Sequence, residues 1–222
     1  MTSIEVLSYL SQELPIVEYR LIKFRNWTLL QDYISDSVFK TELLTYIQNR
    51  VSSDGIPFWD AALTYISNHS DQWEEIVSNA DHHNKITTDF WIQANTIKDW
   101  TEEKRKNIGI NSLIRTNDRG MLHLPMLDFH ISISTRNTNI VRQICGQLGF
   151  NKGFILNSGN SYHFIGKQLI KEEKLLDMLS RALLYGPIVD TRWIAHQLIE
   201  RSCTLRIGEK NRMVPYVIEE IK

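Results

Sequence analysis

The chain has 222 residues, with 25 basic and 26 acidic side chains, 42% hydrophobic residues, 10 glycines and 5 prolines. This composition is typical of a soluble globular protein and excludes collagen, coiled-coil arrays and a disordered chain. No stretch approaches the roughly 18–20 uninterrupted apolar residues that a membrane-spanning helix needs. We therefore expect a cytoplasmic protein with no membrane partner. The two cysteines, Cys145 and Cys203, lack the spacing of a zinc site and are expected to be reduced thiols.

The near-zero net charge conceals a difference between the two halves of the chain. Residues 1–110 hold 10 Lys and Arg against 16 Asp and Glu, a net charge of −6, and residues 111–222 hold 15 against 10, a net charge of +5. Five of the six tryptophans also lie in the first half. We predict a mainly helical N-terminal region, 1–110, which covers a sheet or docks a protein partner, and a basic region, 111–222, suited to a polyanionic ligand.

Hydrophobic spacing near 3.6 residues predicts an amphipathic helix at 37–51. A turn signal, SSDGIP, follows it, and Pro57 can open a second helix because proline is tolerated in a first turn. A third helix is predicted at about 70–80. The segment 17–27 fits a strand or a helix equally well.

The pattern changes after residue 110. The alternation in MLHLPMLDFHISIS (121–134) predicts a strand, with Pro125 favouring an edge or a bulge. A helix at 138–148 follows, and then a tight hairpin at 153–166 whose strands meet across N-S-G-N. The helix LIKEEKLLDMLSRALLYGP (169–187) comes next, and the tail adds a short helix and two strands. This order predicts an α+β fold with an RRM-like split βαβ antiparallel sheet.

Polar groups are concentrated at the ends of these strands. Asp128 and His130 are two residues apart, so on a strand they share a face, and a carboxylate and an imidazole so placed can ligate one metal ion. Ser158 and Ser161 surround the glycine turn, with His163 on the adjoining strand, where hydroxyls, amides and an imidazole can bind a phosphate. The structural alternatives are a solvated Asp–His pair and a turn selected for its backbone geometry.

Two later segments carry further candidates. Asp190 ends the apolar run PIVD, with Arg192 two residues beyond it, although Asp190 could also cap the helix that follows. Arg206 stands inside the apolar strand LRI. An inward-facing arginine needs an acidic partner or an anionic ligand.

Taken in order, these segments resemble the archaeo-eukaryotic primase superfamily over roughly residues 118–215. The family pattern is an apolar strand ending in two carboxylates one residue apart, a small-x-His segment after a glycine turn, an apolar-Asp strand and, often, a later strand arginine. LPMLDFH, SGNSYHFIG, PIVD and LRIG are similar to these elements. The resemblance implies a nucleotidyltransferase that uses Mn²⁺ or Mg²⁺, with nucleoside triphosphates and single-stranded nucleic acid as partners.

The resemblance also implies roles for individual residues. Asp128, His130 and Asp190 are the predicted catalytic and metal-ligating residues. The predicted nucleotide-binding residues are Ser158, Ser161, His163, Arg192 and Arg206. His130 stands where the family has its second carboxylate. A neutral imidazole removes one negative charge and favours softer metals, so the sequence predicts a preference for Mn²⁺ over Mg²⁺.

Two other functions remain open from the sequence. The His130-Ile131-Ser132 triplet is half of the paired H-x-S pattern of a two-histidine phosphoesterase, although His163 begins no second copy. Alternatively, an RRM-like sheet can bind single-stranded nucleic acid or a protein without catalysis, by stacking bases on exposed aromatic side chains.

Overall fold

The computed structural model describes residues 1–24, 37–54, 56–69, 74, 76–77, 86–99, 107–118, 120–210 and 212–222. Their α-helices are α1 (Ser3–Glu13), α2 (Ser37–Asp54), α3 (Phe58–His69), α4 (Thr135–Gln147), α5 (Glu172–Ala182) and α6 (Thr191–Glu200), and 3₁₀ turns span Ala94–Asp99 and Leu183–Tyr185. Their strands are β1 (Ile16–Phe24), β2 (Ile86–Gln93), β3 (Ile108–Thr116), β4 (Met121–His123), β5 (Met126–Asp128), β6 (Gly153–Asn157), β7 (Tyr162–Gly166), β8 (Thr204–Arg206) and β9 (Tyr216–Ile221). The predicted α+β fold class is confirmed.

The chain divides into two compact units, and the division differs from the predicted boundary at residue 110. One unit comprises Met1–Phe24 and Ile86–Lys222, and the other comprises Arg25–Lys85. The reason is strand pairing, because β1 and β2 lie in the first half of the chain but form one antiparallel sheet with β3. The first half therefore contributes strands as well as the predicted helices.

The smaller unit is a helical unit with its own core. Helices α2 and α3 confirm the helices predicted before and after the SSDGIP turn. The buried side chains that form this core are Leu43, Ile47, Ala61, Ala62 and Ile76. The helix predicted at about 70–80 lies largely outside the described residues.

The larger unit is built on two antiparallel sheets. The first sheet has the strand order β2–β1–β3–β4, and β8 also pairs with β3. Helix α1 begins at a capping box between Thr2 and Glu5 and buries its apolar side against the rest of this unit. The hydroxyl of Tyr19, a fully buried residue of β1, donates to the carbonyl oxygen of Leu7 at 2.7 Å and so ties the first sheet to α1.

The second sheet has the strand order β5–β7–β6–β9 and positions the candidate site. Its central strands β6 and β7 are buried along nearly their whole length, which is expected of strands covered on both faces. Phe154 meets Tyr9 of α1 edge-on at a centroid distance of 5.8 Å, and Phe164, on the opposite face, meets Phe150 at 6.2 Å. The hairpin predicted at 153–166 is confirmed.

The single strand predicted at 121–134 is wrong. The segment forms two three-residue strands, β4 in the first sheet and β5 in the second, on either side of Leu124 and Pro125. Proline donates no ladder hydrogen bond, so it suits a point where a chain leaves one sheet for another. Among the described residues, no helix is both long enough and apolar enough to cross a membrane.

Candidate functional site

The site begins with the pairing of β5 and β7. Their antiparallel register places Asp128 directly opposite His163, and the Asp128 Oδ1 atom lies 3.6 Å from His163 Nε2. His163 is 6% exposed, whereas 24% of the Asp128 side chain is exposed. The first and second predicted motifs therefore meet in space, with the carboxylate at the accessible side of the pair.

Asp190 joins this pair through the main chain. Phe129 and Val189 form an isolated antiparallel bridge, and the Asp190 N–H donates to the Asp128 carbonyl oxygen at 3.0 Å. The Asp190 side chain also caps α6, because its Oδ1 accepts from the N–H of Trp193 at 2.8 Å. The capping role predicted as an alternative is thus observed, and it coexists with proximity to Asp128.

Arg206 reaches the site from the first sheet. It ends β8, where it pairs with Gly109 of β3. One terminal nitrogen, Nη1, donates to the carbonyl oxygen of Gly208 at 2.7 Å and approaches that of Met213 at 3.4 Å. The other, Nη2, donates to the carbonyl oxygen of Ser158 in the β6–β7 turn. Arg206 thus links the two sheets at the edge where Asp128 lies.

The β6–β7 turn brings Ser158 and Ser161 together. The N–H of Ser158 donates to the Ser161 carbonyl oxygen at 2.9 Å, and their hydroxyl oxygens are 3.2 Å apart. Gly159 has a φ of 125°, a conformation that favours glycine, and its N–H donates to Asn157 Oδ1 at 2.8 Å. The β6–β7 turn is therefore closed by its own hydrogen bonds and carries two neighbouring hydroxyls, and Arg206 contacts it at the Ser158 carbonyl oxygen.

Burial and neighbouring charges shift the ionisation of Asp128. Burial is the largest cause that raises the pKa of the Asp128 carboxyl well above its usual value, and the negative charge of Asp190 raises it further. The charges of Arg206 and Lys210 and the N–H of Phe129 oppose this rise. Two carboxylates and two cations therefore act on one another at this site.

His163 is a neutral imidazole at physiological pH. Burial, and secondarily the charge of Arg206, lower the pKa of His163 to about 3. The 3.6 Å contact between His163 and Asp128 is therefore not an ion pair, since the imidazole carries no charge. A neutral imidazole has one N–H donor and one acceptor nitrogen, so His163 is able to donate to a ligand oxygen.

Lys210 is a residue of this site that the sequence did not indicate. Burial and the charge of Arg206 lower the pKa of Lys210, and the charge of Asp128 raises it, which places the ammonium group within the same electrostatic cluster. Lys210 and Met213 exchange two backbone hydrogen bonds of 3.0 Å across a turn. The basic turn GEKNR directly after LRI was the only local signal for it.

His130 and Arg192 each follow an aspartate of the cluster by two residues along the chain. Strand β5 ends at Asp128, so the shared-face argument from strand alternation does not extend to His130, which is exposed and donates its N–H to the Ile188 carbonyl oxygen at 2.7 Å. Arg192 is half-buried in the first turn of α6. The part of the chain that the structure describes holds no group of three or more His, Cys, Asp and Glu residues able to bind a metal ion.

Comparison with known proteins places the chain in a family. The family model described as AEP-like, archaeo-eukaryotic primase 1D-like, matches residues 85–219, which is more than half of the chain and includes every site residue described above. No curated protein and no solved structure gives a significant match. The match begins earlier than the predicted limit of about residue 118 and includes β2 and β3, and the chain therefore belongs to the AEP-like family of archaeo-eukaryotic primase 1D-like proteins.

Proposed function

We propose that this chain is a primase-like nucleotidyltransferase that binds a nucleoside triphosphate together with a divalent cation at the cluster of Asp128, His163, Asp190, Arg206 and Lys210. The observation that carries the proposal is the β5–β7 register, which sets a carboxylate opposite a buried neutral imidazole. Membership in a primase family supports a nucleotide-related or nucleic-acid-related function at the level of the family.

The cation is assigned to Asp128 and Asp190. A main-chain hydrogen bond brings the two carboxylates together, and the charge of Asp190 raises the pKa of the Asp128 carboxyl. A divalent cation between them would favour the ionised form of Asp128. Asp190 Oδ1 accepts from the helix, so we assign Oδ2 to the cation. Carboxylate oxygens suit Mg²⁺ and Mn²⁺, and a bound ion would neutralise charge on the phosphoryl group. His130 as a further ligand would favour Mn²⁺.

The triphosphate is assigned to the cationic side of the cluster. Lys210 and Arg206 supply positive charge, and the Ser158 and Ser161 hydroxyls supply donors from the β6–β7 turn. The neutral His163 would donate to a phosphate oxygen, with its ring held in place by burial. Arg192, in the first turn of α6, remains a predicted nucleotide contact. The same surface would then bind the single strand that directs synthesis.

The experiment is a thermal-shift titration with Mn²⁺, Mg²⁺ and nucleoside triphosphates, singly and together. A ligand that binds only the folded state at about 100 times its Kd stabilises it by about 2.7 kcal/mol. The test variant is Asp128→Asn, which keeps the shape of a side chain whose charge is disfavoured and so should fold. The control is Asp177→Asn, which removes an exposed carboxylate of α5.

We expect a joint shift with metal and nucleotide, larger with Mn²⁺, that survives Asp177→Asn and disappears in Asp128→Asn. Equal shifts in both variants would refute the assignment. Template-directed incorporation of labelled nucleotides then tests transferase activity. Turnover of a cyclic phosphodiester without metal would instead favour the two-histidine phosphoesterase, and salt-sensitive binding of single strands that survives Asp128→Asn would favour the non-catalytic module.

A further inference from the structure

Arg206 contacts backbone carbonyls on two separate turns. Its Nη2 donates to Ser158 in the β6–β7 turn of the second sheet, while Nη1 donates to Gly208 at 2.7 Å and approaches Met213 at 3.4 Å in the segment that follows β8. An arginine has five N–H donors in a fixed planar fork, so one side chain can serve several carbonyls at once. Three contacts of this kind hold the guanidinium against the protein itself.

The two turns that Arg206 joins are those that carry the polar groups of the site. The first carries the hydroxyls of Ser158 and Ser161, and the second, closed by the reciprocal backbone bonds of Lys210 and Met213, carries Lys210. The Met213 carbonyl oxygen accepts from the N–H of Lys210 at 3.0 Å and lies within reach of Arg206. The two terminal nitrogens of Arg206 therefore contact two turns, and the positions of these turns determine where the proposed ligand donors lie.

We propose that Arg206 is a positioning residue that fastens the Ser158–Ser161 turn and the Lys210–Met213 turn to each other beside Asp128. In this role, which rests on the nucleotide site proposed above, phosphate contact falls to the two serine hydroxyls and to Lys210, and Arg206 acts through them. The arrangement differs from a direct phosphate contact, in which the positive charge itself would be the essential property of the side chain.

The distinction can be measured because lysine keeps the charge of arginine but has no fork. A direct charge contact is partly rescued by Arg206→Lys and abolished by Arg206→Gln. A fork that joins three carbonyls is lost in both variants, since a single ammonium group cannot span the two turns. Arg201→Lys is the matched control, because Arg201 is an exposed arginine paired with Glu172 at the surface of the same unit.

The first measurement is amide hydrogen exchange of the ligand-free protein, resolved by residue. We expect the hydrogen-bonded amides of Ser158, Gly159, Lys210 and Met213 to exchange at least about tenfold faster in Arg206→Lys and in Arg206→Gln, since each turn loses a bond worth roughly a factor of ten. The amides within β6 and β7 should be unchanged, which shows that the sheet is intact, and Arg201→Lys should behave as wild type throughout. Unchanged exchange in both Arg206 variants would overturn the proposal.

The second measurement is the affinity for a nucleoside triphosphate with Mn²⁺. We expect the Kd to rise by a similar factor in Arg206→Lys and Arg206→Gln, about tenfold or more. A Kd near that of wild type in Arg206→Lys, with loss only in Arg206→Gln, would overturn the proposal in favour of a direct charge contact. If the wild type binds no nucleotide, the proposed function fails, and the exchange measurement still decides whether Arg206 fastens the turns.

Discussion

The hydroxyl of Tyr162 joins the candidate site to helix α4, and its removal has a calculable cost. This hydroxyl accepts from the N–H of Ser134 at 2.8 Å and donates to the carbonyl oxygen of the same residue at 2.9 Å. Ser134 is the N-cap of α4, where its own hydroxyl accepts from the N–H of Asn137. One side chain of β7 thus fixes the start of the helix that follows β5.

Tyr162→Phe keeps the buried ring and removes these two hydrogen bonds. It also removes a longer contact of 3.2 Å from Thr138 Oγ1, whose hydroxyl keeps the Ser134 carbonyl oxygen as an acceptor at 3.0 Å. At about 1 kcal/mol for each bond, the free energy of unfolding should fall by about 2 kcal/mol. For a unit of this size, that loss lowers the melting temperature by about 4–8 °C. The measurement is thermal unfolding followed by circular dichroism at fixed pH and salt.

Tyr216→Phe provides the control for this prediction. The hydroxyl of Tyr216 accepts one hydrogen bond from Asn157 Nδ2 at 3.0 Å, and the residue is 43% exposed, so water replaces the lost contact. Its cost should stay within about 0.5 kcal/mol, the range of most surface substitutions. If Tyr162→Phe costs no more than Tyr216→Phe, the two bonds to Ser134 do not hold α4 as described.

Three further substitutions test the packing and ionisation of the larger unit. In Gly153→Ala, the new Cβ would lie 2.4 Å from the Phe164 ring, so we expect the free energy of unfolding, measured by urea denaturation, to fall by about 1–3 kcal/mol. In Gly146→Ala of α4, the nearest contact of the new Cβ is at 3.4 Å, so the free energy of unfolding should rise by about 0.5 kcal/mol. A more stable Gly153→Ala variant, or a strongly destabilised Gly146→Ala variant, would contradict these packing distances. Burial lowers the pKa of His123, whose Nδ1 lies 2.9 Å from Ser112 Oγ. Because the pKa of His123 is lower in the folded protein than in the unfolded chain, the unfolded chain binds more protons below about pH 6.5. The free energy of unfolding therefore has its full value above about pH 6.5 and declines as the pH falls below it. Denaturation at several pH values should show a shallower decline in His123→Gln, and an identical slope would refute this cause.

The elements that the sequence predicted well are those whose signals are local. The helix predicted at 138–148 is α4, and the hairpin predicted at 153–166 is β6 and β7, because helical periodicity and a glycine turn depend only on nearby residues. The segment 17–27 could not be assigned, since β1 lacks a clear alternation: four of its nine residues are buried, at irregular spacing. Its strand state depends on pairing with β2 and β3, which are distant in sequence.

The candidate site was also predictable only in part, where the motifs themselves carried the signal. The order of motifs indicated that Asp128, His163 and Asp190 converge, and the backbone pairing brings them together. The place of Lys210 could not be predicted, because it depends on how the turn after β8 folds back toward the second sheet. The strand that was to place His130 beside Asp128 ends two residues earlier, at Asp128, and the metal-ligand role of His130 stays a prediction.

The charges around Asp128 explain why metal and nucleotide have to be tested together. Asp128 and Asp190 are the acidic groups of the cluster and Arg206 and Lys210 are its basic groups, while His163 is neutral. A divalent cation alone is attracted by the carboxylates but repelled by Arg206 and Lys210. A triphosphate alone is attracted by Arg206 and Lys210 but repelled by the carboxylates. When both bind, each ligand neutralises the charge that opposes the other, so each should raise the other's affinity by the same factor. The proposed site would therefore bind a metal–nucleotide complex more tightly than either ligand alone.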